Sequence, residues 1–199
     1  MRACIRCAED RDAGAIAAIY APFCAANSPV SFEVVPPSAE EMLGRMHKVL
    51  SRYPWLVCER DGEVLGYVYA GMFSDRAAYQ WSAAVSAYIK EGMRRTDIGR
   101  ALYESLFECL RVLGHYNAYA GISLPNAGSV GLHTALGFEL VGTYREVGFK
   151  GGRWHDVAWM QRALRRKAEE PAPPRSFSEV RDEPEIATAI ARGLDFLRV

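Results

Sequence analysis

The sequence has no apolar run long enough to cross a bilayer, and its opening stretch, MRACIRCAED, has no apolar segment of the length a secretory signal requires. It has no excess of either charge. The 24 Lys and Arg residues balance 24 Asp and Glu, which leaves no basic footprint for nucleic acid and no acidic solvating tail. Cysteine is sparse, at five residues in 199, and the odd count speaks against a disulfide framework. Cys4 and Cys7 form a C-x-x-C pair, but no second ligand pair follows at a zinc spacing, so no metal is expected. Internal repeats are also absent. These absences imply a cytoplasmic protein with reduced cysteines and no nucleic-acid or membrane partner.

Half of the residues are apolar, enough for one domain with a core and an appendage. Residues 3–7 read as a short strand. Asp10 is placed to cap a helix running to about Asn27, with Ile16, Ile19, Tyr20, Phe23 and Cys24 on one face. A loop, Ser28 to Pro37, carries Ser31-Phe32-Glu33. Ser38 with Glu41 forms a capping box for a second helix. Strands are expected at Trp55–Glu59 and Val64–Phe73, around the hairpin signal Asp61-Gly62, and at Tyr79–Ile89. Gly99–Leu113 is a helix ended by Gly114. A strand at Asn117–Ile122, a helix at Ser129–Leu136, and strands Phe138–Lys150 and Arg153–Met160 complete the pattern. The order β-α-α-β-β-β-α-β-α-β-β predicts one mixed α/β domain over residues 1–164. Residues 165–199 read as a Pro-rich linker (Pro171, Pro173, Pro174) and an amphipathic helix with Ile186, Ile190, Leu194 and Leu197 on its stripe, docked on the domain or on a partner subunit.

The chemistry-bearing unit is a strand, a basic glycine-containing loop and a helix: Ala87-Tyr88-Ile89, then Arg94-Arg95-Thr96-Asp97-Ile98-Gly99, then Arg100. Unpaired N–H groups at a helix start, with the helix dipole and forked arginines, make a phosphate site. Taken alone, the loop fits a solvated basic turn equally well.

Further stretches point the same way. Residues 94–99 resemble the Gln/Arg-x-x-Gly-x-Gly/Ala signature of the GNAT superfamily of N-acetyltransferases. Asn126-Ala127-Gly128-Ser129 and Leu132-His133-Thr134-Ala135-Leu136-Gly137-Phe138 resemble the second half of its cofactor site. Ser31-Phe32-Glu33, Tyr144-Arg145-Glu146-Val147-Gly148 and Gly152-Arg153-Trp154-His155-Asp156 are similar to the phosphinothricin and methionine-sulfoximine N-acetyltransferase branch. The resemblance spans about Ile5 to Leu164. It implies a mostly antiparallel twisted sheet with flanking helices, acetyl-CoA as co-substrate without a metal, a small amino-acid-like amine as acceptor, and a homodimer. It assigns Ala87, Tyr88, Ile89, Arg94, Arg95, Thr96, Ile98, Gly99, Arg100, Asn126 and Ser129 to the cofactor, with the pantetheine along a splayed strand at Val85–Ile89. It assigns Phe32, Arg76 and Tyr79 to the acceptor.

The chain departs from that branch at three places. Relatives carry Thr-Val-Glu in the third strand, with the Glu as proposed base, where this chain has Ser82-Ala83-Ala84. An upstream Arg-x-Arg pair is reduced to Ser74-Asp75-Arg76. Asp97 replaces a loop glycine and is suited to capping the following helix. Three arginines against Glu91 and Asp97 still leave residues 91–100 at net +1. With Ala84 in the carboxylate position, Glu33 and His133 become the candidate bases, against the alternatives of a solvent-facing Glu, a satisfied partly buried His, and a water chain. Two functions follow from this: an active N-acetyltransferase, or a catalytically impaired acyl-CoA-binding or regulatory protein on the same fold.

Overall fold

A computed structural model describes residues 3–198. Seven strands form one sheet in the order β1-β2-β3-β4-β5-β7-β6. They are β1 (Cys4–Cys7), β2 (Trp55–Arg60), β3 (Glu63–Met72), β4 (Ser82–Ile89), β5 (Asn117–Ser123), β6 (Glu139–Lys150) and β7 (Arg153–Ala163). Every neighbouring pair is antiparallel except β4 with β5. The expected mixed α/β order and its twisted, mostly antiparallel sheet are thus realised.

Helices α1 (Ala13–Cys24) and α2 (Ala39–Leu50) cover one face of β2–β4. Helix α3 (Ile98–Leu113) covers the other. Alternation along β2 supplies both layers: Trp55 and Val57 pack under α1 and α2, while Leu56 and Cys58 join the α3 cluster. The Ser38 capping box forms as expected, with Ser38 Oγ accepting from Glu41 N at 3.1 Å and Glu41 Oε2 from Ser38 N at 2.7 Å. Asp10 does not cap α1. It begins a 3-10 turn, Asp10–Asp12, and Asp12 accepts from Glu9 N. The third expected strand starts later, at Ser82, because Ala77–Tyr79 form a 3-10 turn.

The tail lies against the α3 layer. Helix α5 (Phe177–Val180), which hydrophobic periodicity does not reveal at four residues, buries Phe177 and Val180 completely. Helix α6 (Pro184–Ala191) buries Ile186 and gives way to a 3-10 turn, Arg192–Phe196. Leu194 therefore leaves the expected stripe and is 41% exposed. Gly193 is needed where the tail crosses α3, since a Cβ there would sit 2.1 Å from Ala101 O. Its N–H donates to Ser105 Oγ at 3.1 Å, and that hydroxyl donates to Ile190 O at 2.6 Å.

This packing makes the tail part of the fold's stability. Phe177→Ala, which empties a fully buried aromatic site, is expected to cost about 3–5 kcal/mol. Urea unfolding at neutral pH checks this, and a loss below about 1 kcal/mol, the size of an ordinary surface substitution or less, would contradict it.

Candidate active site

β4 and β5 pair for three residues, Ser82–Ala84 against Asn117–Tyr119. Beyond Ala84, β4 stays bonded to β3 as far as Ile89, whereas β5 turns its bonds to β7. The edge of β4 facing β5 from Val85 onward therefore pairs with no strand among the described residues. Below this fork opens a cavity of about 680 Å³, with α3 at its floor and helix α4 (Ala127–Ala135) as its far wall. Of the residues expected at the cofactor, Thr96 alone is missing from the lining. Its hydroxyl turns inward to Met93 O at 2.6 Å and tightens the loop. Phe23, Val30, Met93, Tyr103 and Leu132 also line the cavity. Sequence spacing could have found Tyr103, one turn beyond Gly99, but Phe23 and Val30 arrive from a distant segment.

The loop into α3 is strained at two non-glycine residues, Arg95 (φ 63°) and Asp97 (φ 60°). Asp97 occupies the cap position, yet its side chain bonds none of the first α3 amides, which corrects the expected cap. A side-chain cap requires extended backbone, and the left-handed conformation turns the carboxylate away. The carboxylate instead lies 3.3 Å from Arg198 Nε. The leading N–H groups of α3 remain available to an anion. Around them, Arg94 stands over the Phe23 ring at 5.5 Å and Arg100 over Phe196 at 4.6 Å.

On α4, Asn126 Oδ1 accepts from Ser129 N at 3.1 Å and sets the helix start. His133 is buried between α4 and α3. Its Nδ1 lies 2.8 Å from Ser129 O and its Nε2 2.9 Å from Tyr103 Oη. A carbonyl demands a donor, so Nδ1 carries the proton and Nε2 accepts from the phenol. Burial lowers the His133 pKa below its ordinary value, despite the opposing bond to Ser129. Both ring nitrogens are thus engaged in the neutral form.

Glu33 lies on the other face of the sheet. Its carboxylate accepts from the two terminal Arg45 guanidinium nitrogens, at 2.8 and 2.9 Å, and from the Tyr20 hydroxyl at 3.0 Å. The Arg45 bonds hold its pKa below the ordinary value against partial burial, which weakens it as a proton acceptor. Glu33 and Arg45 edge a smaller cavity of about 230 Å³ with Trp55, Tyr67, Tyr69 and Tyr88. Tyr88 lines both cavities and packs against Tyr20 and Phe23.

The motif stretches of β6 and β7 hold the Ser31–Glu33 loop. Buried Lys150 donates to Phe23 O and Ser31 O at 3.1 and 2.7 Å. Gly148 leaves room for the Phe32 ring, which a Cβ would meet at 2.2 Å. Asp156 accepts from the N–H of Glu146, whose positive φ marks the bulge in β6. Phe32 stands near His155, whereas Tyr79 joins the Phe73, Tyr119 and Trp159 cluster at the base of the fork, and Arg76 is exposed beside it. The expected acceptor residues thus fall into two groups. Ala84, the last residue of β4 paired with β5, lies on the same strand face as Ser86 and Tyr88 and brings no carboxylate to the fork.

The fold and site define a mixed α/β protein whose split sheet stands over an anion-receptive helix start. Comparison with known proteins places it further: the Acetyltransferase (GNAT) domain matches residues 5–159, and the chain belongs to that family. It is 39% identical over 153 residues to phosphinothricin N-acetyltransferase of Streptomyces viridochromogenes, covering 77% of this chain and 81% of that one. It is 41% identical over 162 residues to the enzyme of that name from Alcaligenes faecalis, covering 80% and 82%. Among solved structures, a phosphinothricin acetyltransferase from Sinorhizobium meliloti in complex with AcCoA superimposes with a TM-score of 0.80 at 35% identity, covering 89% of this chain and 99% of that chain.

Two buried histidines, His133 at the cleft and His115 beyond the far end of α3, give the fold a pH signature. Burial pushes His115 down to about 4 and moves His133 in the same direction. Stability from both is full above the unfolded value near 6.5 and falls as the pH drops through the folded values, because the unfolded chain takes up protons the fold refuses. An NMR titration should find His115 ionising near 4 and His133 below its ordinary value. A His133 midpoint at or above about 6.5 would contradict its assignment as a buried, fully bonded neutral imidazole.

Proposed function

We propose that this chain is a cytoplasmic, homodimeric N-acetyltransferase that moves acetyl from acetyl-CoA to the amine of a small amino-acid-like acceptor. The observation that carries this reading is the β4–β5 fork opening onto the α3 start. The names of the relatives favour transfer over an acyl-CoA-binding role alone. The residues present fit acetyl-CoA. An unpaired strand edge suits the amide-bearing pantetheine arm much as an added strand would. Arg94, Arg95, Arg100 and the free α3 amides suit the pyrophosphate, and Asn126 and Ser129 border the opposite side.

Acetyl-CoA supplies an acetyl group activated as a thioester. Transfer forms the C–N amide bond, breaks the C–S bond and releases the CoA thiol. The chain's own groups perform three tasks. Backbone N–H groups of β4 beyond Ala84 face the fork and can hold developing negative charge on the carbonyl oxygen. Phe32, Arg76 and Tyr79 border the acceptor, with Arg76 as the cation for a carboxylate. The acceptor ammonium must also lose a proton, since only the neutral amine has a lone pair. Glu33 is committed to Arg45, and the His133 lone pair to Tyr103, so we assign proton removal to water at the fork. Glu33 holds the acceptor loop, and His133 locks α4 against α3.

The homodimer reading is supported by Leu140, Val141, Tyr144, Val147, Phe149 and Trp154, each more than half exposed along the β6–β7 hairpin. β6 is the edge strand, so a second copy can pack around this apolar edge without disturbing the sheet. Five free cysteines, three of them buried, suit a reducing compartment.

Thiol titration across an amino-acid panel should detect acetyl-CoA-dependent CoA release, with singly acidic acceptors used at least as well as phosphinothricin because one arginine stands where relatives have two. Ala84→Glu in the same assay should raise kcat by at least about tenfold by supplying a positioned base. Absence of CoA release with every amine, in wild type and Ala84→Glu alike, would overturn the reading.

A further inference from the structure

The 94–100 loop carries a carboxylate where phosphates are to bind, and the C-terminal tail is seated on that carboxylate. Asp97 projects from a left-handed residue immediately before α3. It borders the cavity together with Arg94, Arg95 and Arg100. Left unpaired, it would oppose a pyrophosphate directly, since like charges a few ångströms apart repel even in water. Its cation comes from the far end of the chain: Arg198 Nε lies 3.3 Å from Asp97 Oδ2. Two residues earlier, the Phe196 ring lies under the Arg100 guanidinium at 4.6 Å.

The route of the tail makes these contacts specific. The hydroxyl of Ser105, within α3, bonds both Ile190 O and Gly193 N, and Gly193 lies against the α3 backbone at Ala101. Anchored there, the chain runs along α3 toward its N-terminus and delivers Phe196 to Arg100 and Arg198 to Asp97. All of these tail residues lie beyond the segment matched by the family domain, which ends at residue 159.

We propose that the C-terminal tail completes the phosphate end of the acetyl-CoA site. Arg198 is a positioning residue that neutralises Asp97 and turns the loop from a mixed into a cationic surface, and Phe196 holds Arg100 in place from below. This rests on the acetyl-CoA reading above and deepens it: a segment outside the catalytic domain sets cofactor affinity.

Isothermal titration with acetyl-CoA at low salt tests this on the full chain. Arg198→Ala should weaken binding by about three- to tenfold, the effect of removing one partner of a surface charge pair beside an anion. Arg198→Lys, which keeps the charge, should stay within about twofold on the same grounds. In an Asp97→Gly background the Arg198→Ala loss should vanish, because nothing remains to neutralise. The thermal midpoint should not move with Arg198→Ala, since the side chain is 80% exposed. Unchanged affinity in Arg198→Ala, or an equal loss in the Asp97→Gly background, would overturn the proposal while leaving the functional reading intact. A wild-type chain that neither binds acetyl-CoA nor releases CoA would overturn both.

Discussion

Backbone hydrogen bonding between β4 and β5 stops after Ala84, and most of what this chain can do depends on that interruption. In a continuous sheet every strand edge is satisfied by its neighbour, and no extended ligand can add to it. Here β4 remains anchored to β3 through Ile89 while β5 is drawn away by its pairing with β7 along Asn117–Ser123. Both strands are held on their outer sides, so the gap is rigid and its unpaired polar groups are preorganised for a ligand. The same parting places the first turn of α3 beneath the gap. An amide-lined edge and an anion-receptive helix start therefore meet in one cleft.

The two faces of β4 then divide the work. Ala87 and Ile89 look toward α3 and the cleft, while Tyr88, on the opposite face, borders the cavity of Glu33. Tyr88 is the wall common to both cavities. The hairpin of β6 and β7 looks remote in sequence but acts as the clamp on that loop, through Lys150 and the space left at Gly148. A buried lysine satisfied by two carbonyls is costly to disturb, which ties the Ser31–Glu33 loop to the far edge of the sheet.

Much of the fold was legible in the sequence because its signals are local. The Ser38 capping box, the Asp61-Gly62 turn and the Leu102, Leu106, Leu110 stripe each act within a few residues, and each appears where its chemistry requires. That Ala87, Ile89, Arg94 and Gly99 share one cleft was legible for the same reason, since a strand, loop and helix carry them in order. What was not legible depends on distant partners. The sequence leaves Glu33 open between a base and a solvent-facing carboxylate, because Arg45, which occupies that carboxylate, lies one helix away. It leaves His133 open between a proton shuttle and a satisfied buried histidine, because its partner Tyr103 sits on another helix. Asp97 matched a cap in composition, but the loop's left-handed turn aims it at Arg198 instead. No periodicity announces a contact across the 101 positions that separate those two residues.

If the unpaired edge of β4 and the α3 start form one acetyl-CoA cleft, hydrogen exchange of backbone amides, measured with and without acetyl-CoA, shows it. Added protection is expected at residues 85–89 and at the first amides of α3, with the amides that β3 already bonds to β4 little changed. Protection confined to other segments, or none at saturating acetyl-CoA, would contradict it.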